Sequence, residues 1–441
     1  MRIRGLIVAT GIFLVLAGVY YWSEHRKPAD ESVKASADSP PAILKLDETT
    51  ITKLDIRKKD QPAIQLAKAD SGKWRITAPS PFGADQSTVS GVLSSVASLT
   101  SDRLVEDKAS DLKRYGLDQP AFEVDITEKD NKTQKLLIGD DTPTGNASYA
   151  MLAGDPRLFT IASYKKTSVG KSLNELRDKR LLTVNADKIS RIELDRNNQD
   201  VEFGRNKDEW QILKPKPMRA DGVQVDELER QLTDARMELG GSDDNSKAAA
   251  AAFARGPLVA TAKVTDESGT QKLEVRKSKD DYYAKSSVVN GVYKVGSQVG
   301  QALAKKVDDF RNKKLFDFGY NDPNKFELHS GAKAYFLTRS GEDWWSNGKK
   351  MDATSTQGVV SKLRDLAATK FPDAGFGKPE IEITVTSDEN KRVEKVSIAK
   401  SANSYIAKRE NEPALYQLDT SSIDDLLKAA DEVKPAVATT R

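Results

Sequence analysis

The chain has no cysteine among its 441 residues, so disulfides, thiol catalysis and cysteine-ligated metals are excluded together. Histidine is nearly missing too: only His25 and His329 occur. A histidine-based zinc site or a Ser-His-Asp triad would have to rest on one of them alone. The charges almost cancel, with 69 basic and 66 acidic residues, which leaves no footprint for nucleic acid and names no partner. Long apolar runs are missing, with a single exception near the start.

That exception is Gly5 to Trp22, an uncharged and mostly apolar stretch flanked by Arg2 and Arg4 before it and Glu24 and Arg26 after it. As a helix it would span roughly 27 Å, close to the hydrocarbon thickness of a bilayer. Tyr20, Tyr21 and Trp22 form an interfacial aromatic belt at its end. A cleaved signal peptide would have a shorter apolar region and a small-residue cleavage site, so an uncleaved transmembrane anchor is the expectation. Residues 1–22 then comprise a short cytoplasmic N-terminus and the anchor. With no second such run, the bulk of the chain is expected outside the cytoplasm, in the periplasm where the cell has an outer membrane. Residues 23–42 are rich in Pro, Ser, Ala and charge, the composition of a linker.

Beyond the linker one pattern recurs. "WRITAPSPFGAD" begins at Trp74 and "WQILKPKPMRAD" at Trp210, with Pro79, Pro81 and Asp85 matched by Pro215, Pro217 and Asp221. A third version, "WWSNGKKMD" from Trp344 to Asp352, is three residues shorter and has neither proline. "LRDKRLL" from Leu176 is likewise echoed by "FRNKKLF" from Phe310. Each copy carries a Pro-led pair of alternating apolar segments, from Pro120, Pro257 and Pro379, with polar turn residues between them, the pattern of a half-buried hairpin. Counting from each Asp, Val92, Val96 and Leu99, then Leu228, Leu232 and Ala235, then Val359, Leu363 and Leu366 fall on one helical face. A period of this length describes tandem domains rather than turns of a solenoid. The expected architecture is α+β: a transmembrane helix followed by three related domains with mainly antiparallel sheets. Their bounds are 43–182, 183–316 and a divergent 317–435, with a tail at 436–441. Strand order is left open.

The Trp-Pro-Ala-Asp segment, "YGLDQP" at Tyr115 to Pro120 and the "LRDKRLL" closure together resemble the bacterial domain-of-unknown-function family 4340. The resemblance covers nearly everything after residue 42 and weakens in the third copy. It implies a membrane-anchored envelope protein with repeated domains, in the context of an ABC transporter of the gliding-motility type. It carries over no catalytic residue.

The repeated Asp85, Asp221 and Asp352 suit a carboxylate site or three helix N-caps. Capping is the stronger reading because it needs only local geometry, and Gln224 gives Asp221 the spacing of a capping box. Trp74 and Trp210 alternate with Ile76 and Ile212 as core-facing strand residues would, against the alternative of a sugar-stacking platform. Adjacent strand residues face opposite ways, so one ring of Trp344 and Trp345 should be exposed, and this pair is the candidate contact surface. The basic residues Lys179, Arg180, Lys313 and Lys314 read as last-turn complements to a helix dipole. "GKS" at Gly170 and "GFGKPE" at Gly375 lack the glycines that phosphate and dinucleotide loops need. No catalytic, cofactor or metal residue is assigned. The leading expectation is a non-catalytic, membrane-anchored accessory or interaction protein with ABC-type transporter subunits as partner. An envelope glycan- or lipid-binding module is the alternative, and a hydrolase is less favoured.

Overall fold

Alternation of apolar and polar residues builds the strands, and the repeated Asp starts the helix that covers them. The computed structural model describes residues 41–196, 199–207, 209–239, 247–320 and 323–437. The anchor expected at residues 5–22 and nearly all of the 23–42 linker lie outside the described residues. Among the described residues no helix is long and apolar enough to cross a membrane. The chain divides into two compact units, Met1–Asp178 and Lys179–Arg441.

The first unit contains one nine-stranded sheet. Its strands are β1 (Ile51–Lys58), β2 (Ile64–Lys68), β3 (Trp74–Ala78), β4 (Phe82–Gly83), β5 (Arg103–Glu106), β6 (Phe122–Glu128), β7 (Thr133–Asp141), β8 (Ala147–Leu152) and β9 (Leu158–Ala162). They lie in the order β4-β3-β2-β1-β6-β7-β8-β9-β5. Two meanders thus meet where β1 pairs β6 antiparallel, with Leu54 opposite Ile126. The second unit repeats this order in a nine-stranded sheet and again in an eight-stranded one. The matching central pairs there are Ile192 with Val264 and Phe326 with Val385. Among the described residues the third sheet has no counterpart of β5; in that place Lys370 makes a single bridge to Gln417. The α+β expectation with mainly antiparallel sheets holds.

Each sheet packs one face on a helix that follows the repeated Asp: Gln86–Ala97, Gly222–Thr233 and Ala353–Asp365. All nine positions of the expected apolar stripe are buried. The third member of each trio, however, lies just past the helix end, where its carbonyl serves as a docking point. Leu99 accepts from the Ile43 N–H, Ala235 from Leu181 and Leu366 from Leu315.

Three expectations need correction. Prolines between a strand and a helix cap read as a stiffened crossover from one to the other, but β4 folds straight back on β3, Ile76 opposite Phe82, and Ile212 faces Met218 in the same way. Pro79 and Pro215 each follow a cis peptide bond. The third copy makes the same hairpin with Asn347-Gly348, both at positive φ, as a two-residue turn needs. Its missing residues are therefore a change of turn chemistry.

The basic closures are not last helical turns either. Arg177 and Arg311 follow short helices as extended residues, bridging Ala84 and Ala220, and stack on Phe82 (3.9 Å) and Phe371 (3.5 Å). Finally, Leu181 and Leu182, assigned above to the first copy, pack in the core of the second sheet, and Leu315 and Phe316 pack in the third. One continuous segment closes one copy and opens the next.

Candidate interaction surface

The repeated carboxylates resolve first. The Asp85 side chain accepts from the Thr88 N–H (2.8 Å), Asp221 from Gln224 (3.3 Å) and Asp352 from Ser355 (2.8 Å), so each is an N-cap. The Ser355 backbone N–H holds the Asp352 carboxyl below its usual range. The capping box expected at Asp221 does not form, because the Gln224 side chain accepts from Lys305 instead (2.8 Å) and the Asp221 N–H donates to the Phe310 carbonyl. In all three copies that cap N–H is tied to the closing segment: Asp85 to Leu176, Asp221 to Phe310, Asp352 to Lys434. The closure therefore persists in the third copy, where its basic sequence is gone. Asp85→Ala should cost about 1 kcal/mol of stability, read as a shift in the denaturation midpoint.

The Trp residues also separate. Trp74, Trp210 and Trp344 are buried, so Trp344 leaves the candidate contact surface. It lies 5.7 Å from Phe326, ring to ring, in the third core. Trp345 points the other way and is 39% exposed.

The register shows what surrounds Trp345. It stands opposite Thr338, which faces Lys325, then Thr386, then Val393, one row across the outer face of the third sheet. Two residues along from Thr338 on the same face is Phe336, 41% exposed, and Val393 is 51% exposed. The corresponding rows put Arg75 or Gln211 in place of Trp345, and Thr133 or Thr270 in place of Val393. Gln65 and Glu202 stand where Phe336 does. Three positions on one face have turned apolar in the third copy alone.

The first two copies cover that face with charge. Arg57 meets Asp55 (2.7 Å) and Asp125 (3.0 Å). In the second copy Glu202 meets Arg191 (2.5 Å) and Lys214 (2.8 Å). Burial alone would raise the Glu202 carboxyl, but hydrogen bonds from Lys214 and Arg191 outweigh it and hold it low. On the third sheet charged residues pair around the apolar centre: Lys325 with Glu327, Lys350 with Asp343 and Lys395 with Glu410. His329 sits edge-on to Phe336 at 5.2 Å and 80°. It also lines an open cleft of about 700 Å³ with Lys378, Glu382, Tyr405 and Leu427. Among the described residues no group of three or more His, Asp or Glu is placed to hold a metal.

Sequence reading found Trp345 but not Phe336 or Val393, whose partners across the sheet depend on strand order. For Phe336 the Gly341-Glu342 turn before the Trp pair was the available signal, since it fixes the register of that hairpin. No match was found among curated proteins or among solved structures. The family model described as "Domain of unknown function (DUF4340)" matches residues 74–250 and 210–380, two overlapping stretches that each begin at a motif Trp. The chain belongs to this family of proteins with repeated DUF4340 domains.

Proposed function

We propose that this chain is a non-catalytic, membrane-anchored accessory protein that works outside the cytoplasm by protein contact, with subunits of an ABC-type transporter as its partner. The observation that carries the reading is the replacement of polar and charged residues by Trp345, Phe336 and Val393 on one exposed sheet face. Exposed aromatic residues inside a polar rim are what protein interfaces are built from. Three such residues make a hot-spot cluster smaller than the roughly 800 Å² per partner of a standard interface, which suits a transient contact.

The glycan alternative is less well supported, because the Phe336 and His329 rings are edge to face and offer no flat platform. A lipid surface is less well supported too. The rim cations are matched by Glu327, Asp343 and Glu410, so the face has little excess charge for anionic headgroups. Cross-linking the full chain in native membranes, followed by identification of the partners, is expected to recover a transporter component. A chain that stays a free monomer with no such partner would overturn the proposal.

A further inference from the structure

Residues 314–317, which link the second and third sheets, have their backbone gripped by charged side chains from both. Arg219, on the short strand Met218–Arg219 of the second sheet, donates to the Lys314 carbonyl and to the Asp317 carboxylate. Its Nε lies 2.8 Å from Glu412 of the third domain. From the third domain, Arg409 donates to the Leu315 carbonyl and pairs with Glu394 (2.9 Å) and Glu412 (2.8 Å). Glu394 accepts the Asp317 N–H (3.0 Å), and Arg392 donates to the Asp317 carbonyl. Tyr416 donates to Glu412 and completes the set.

The register shows that this grip is built at fixed positions. Glu394 and Arg409 correspond to Gln271 and Ser286 of the second sheet. There the Gln271 side chain accepts the Thr183 N–H (2.8 Å) and Ser286 donates to the Leu181 carbonyl, the same two grips made by neutral groups. The first sheet has Gln134 and Leu152 at these positions. Arg219 itself corresponds to Gly83 in the first copy and Lys350 in the third. The charged version, with a latch reaching in from the preceding domain, occurs once.

We infer that this cluster is an ionic lock that makes the second and third domains move as one body, with Arg219 as the latch. Three guanidinium groups face three carboxylates, and Arg219 and Glu394 are largely buried. Removing one partner strands a desolvated charge instead of exchanging one solvated pair for another. The lock would hold the outer face of the third sheet in a fixed orientation to the second domain.

Limited trypsin digestion of the full chain tests this, because Lys314 lies in the gripped segment and Lys313 adjoins it. In Arg219→Ala, cleavage there is expected to rise about tenfold or more as local opening becomes easier. The unfolding of the second and third domains should split into two transitions. Arg219→Lys keeps the charge without the fork and should fall between. Arg230→Ala, which removes a surface helix pair with Glu227, should behave as wild type. Glu412→Gln examines the same latch from the third domain if Arg219→Ala does not fold. Unchanged cleavage and a single transition in the latch variants would overturn the inference. So would an equal rise in cleavage at Lys263, in a central strand of the second sheet, since the second domain itself would then have unfolded.

Discussion

Trp210→Ala is expected to lower the stability of the second domain by about 3–5 kcal/mol, whereas Trp345→Ala costs about 1 kcal/mol or less. Trp210 is 5% exposed and touches the core of its sheet with one face. The Arg205 guanidinium lies 4.5 Å over its ring, and its Nε1 donates to Asp226 (2.9 Å). Truncation therefore leaves a cavity and an exposed face of packed side chains. Against a typical domain stability of about 5–15 kcal/mol, that loss is a large fraction. Trp345 projects from the opposite face of its strand and fills no cavity. Guanidinium denaturation followed by far-ultraviolet circular dichroism separates the two variants. Equal shifts would mean that the repeated Trp is not a core anchor, or that Trp345 is one.

Gly139→Ala is the second large effect, expected at about 3 kcal/mol, near the upper end of overpacking costs. A Cβ at Gly139 would stand 2.1 Å from the Tyr115 carbonyl oxygen and 3.1 Å from that of Gly116, both backbone atoms that cannot rotate away. Tyr115 anchors a satellite apolar cluster with Leu117, Met151 and Leu158. Its hydroxyl donates to Glu106 (2.5 Å), and its ring lies 4.8 Å from Tyr149. Gly116 ends the short turn Leu112–Tyr115 at φ 66°, a left-handed position that suits glycine. The "YGL" of the first copy thus seats a turn against β7 at a distance only Gly139 permits. A thermal midpoint for the first domain within a degree of wild type would contradict this.

What the sequence made legible followed from local rules. An Asp before an apolar stripe caps a helix whatever surrounds it, and all three did so. Alternation in β6 and β7 specified a hairpin, and Trp74 beside Ile76 specified a core edge, because each depends on neighbours close in the chain. The rest depended on partners distant in sequence. Nothing in β1 announces that it pairs both β2 and β6, which is what brings two meanders into one sheet. The closing segments looked helical because basic residues follow a helix there. Their backbone instead pairs with residues nearly a hundred positions earlier, as Asp178 does with Gly83. Phe336 looked like any alternating strand residue. Only the register, which sets it opposite Glu327 where Gln65 and Glu202 face acids, shows that its position has changed character.

The same logic separates the two halves of the repeated motif. Trp, the returning hairpin and the capping Asp specify a domain three times over. The turn chemistry of the third copy changes around that frame while Trp344 and Asp352 keep their structural places. Beside it, Trp345 and Phe336 set an apolar centre into a sheet face that is polar and charged in the other copies.

The most direct test of the account is recovery of cross-linked transporter components by the full-length chain in native membranes, comparing wild type with Trp345→Ala/Phe336→Ala. Two hot-spot truncations of about 2 kcal/mol or more in total would lower affinity by roughly thirtyfold, so recovery should fall close to background while the thermal unfolding profile is retained. Undiminished recovery by a folded double variant would contradict the assignment of this face as the site of contact.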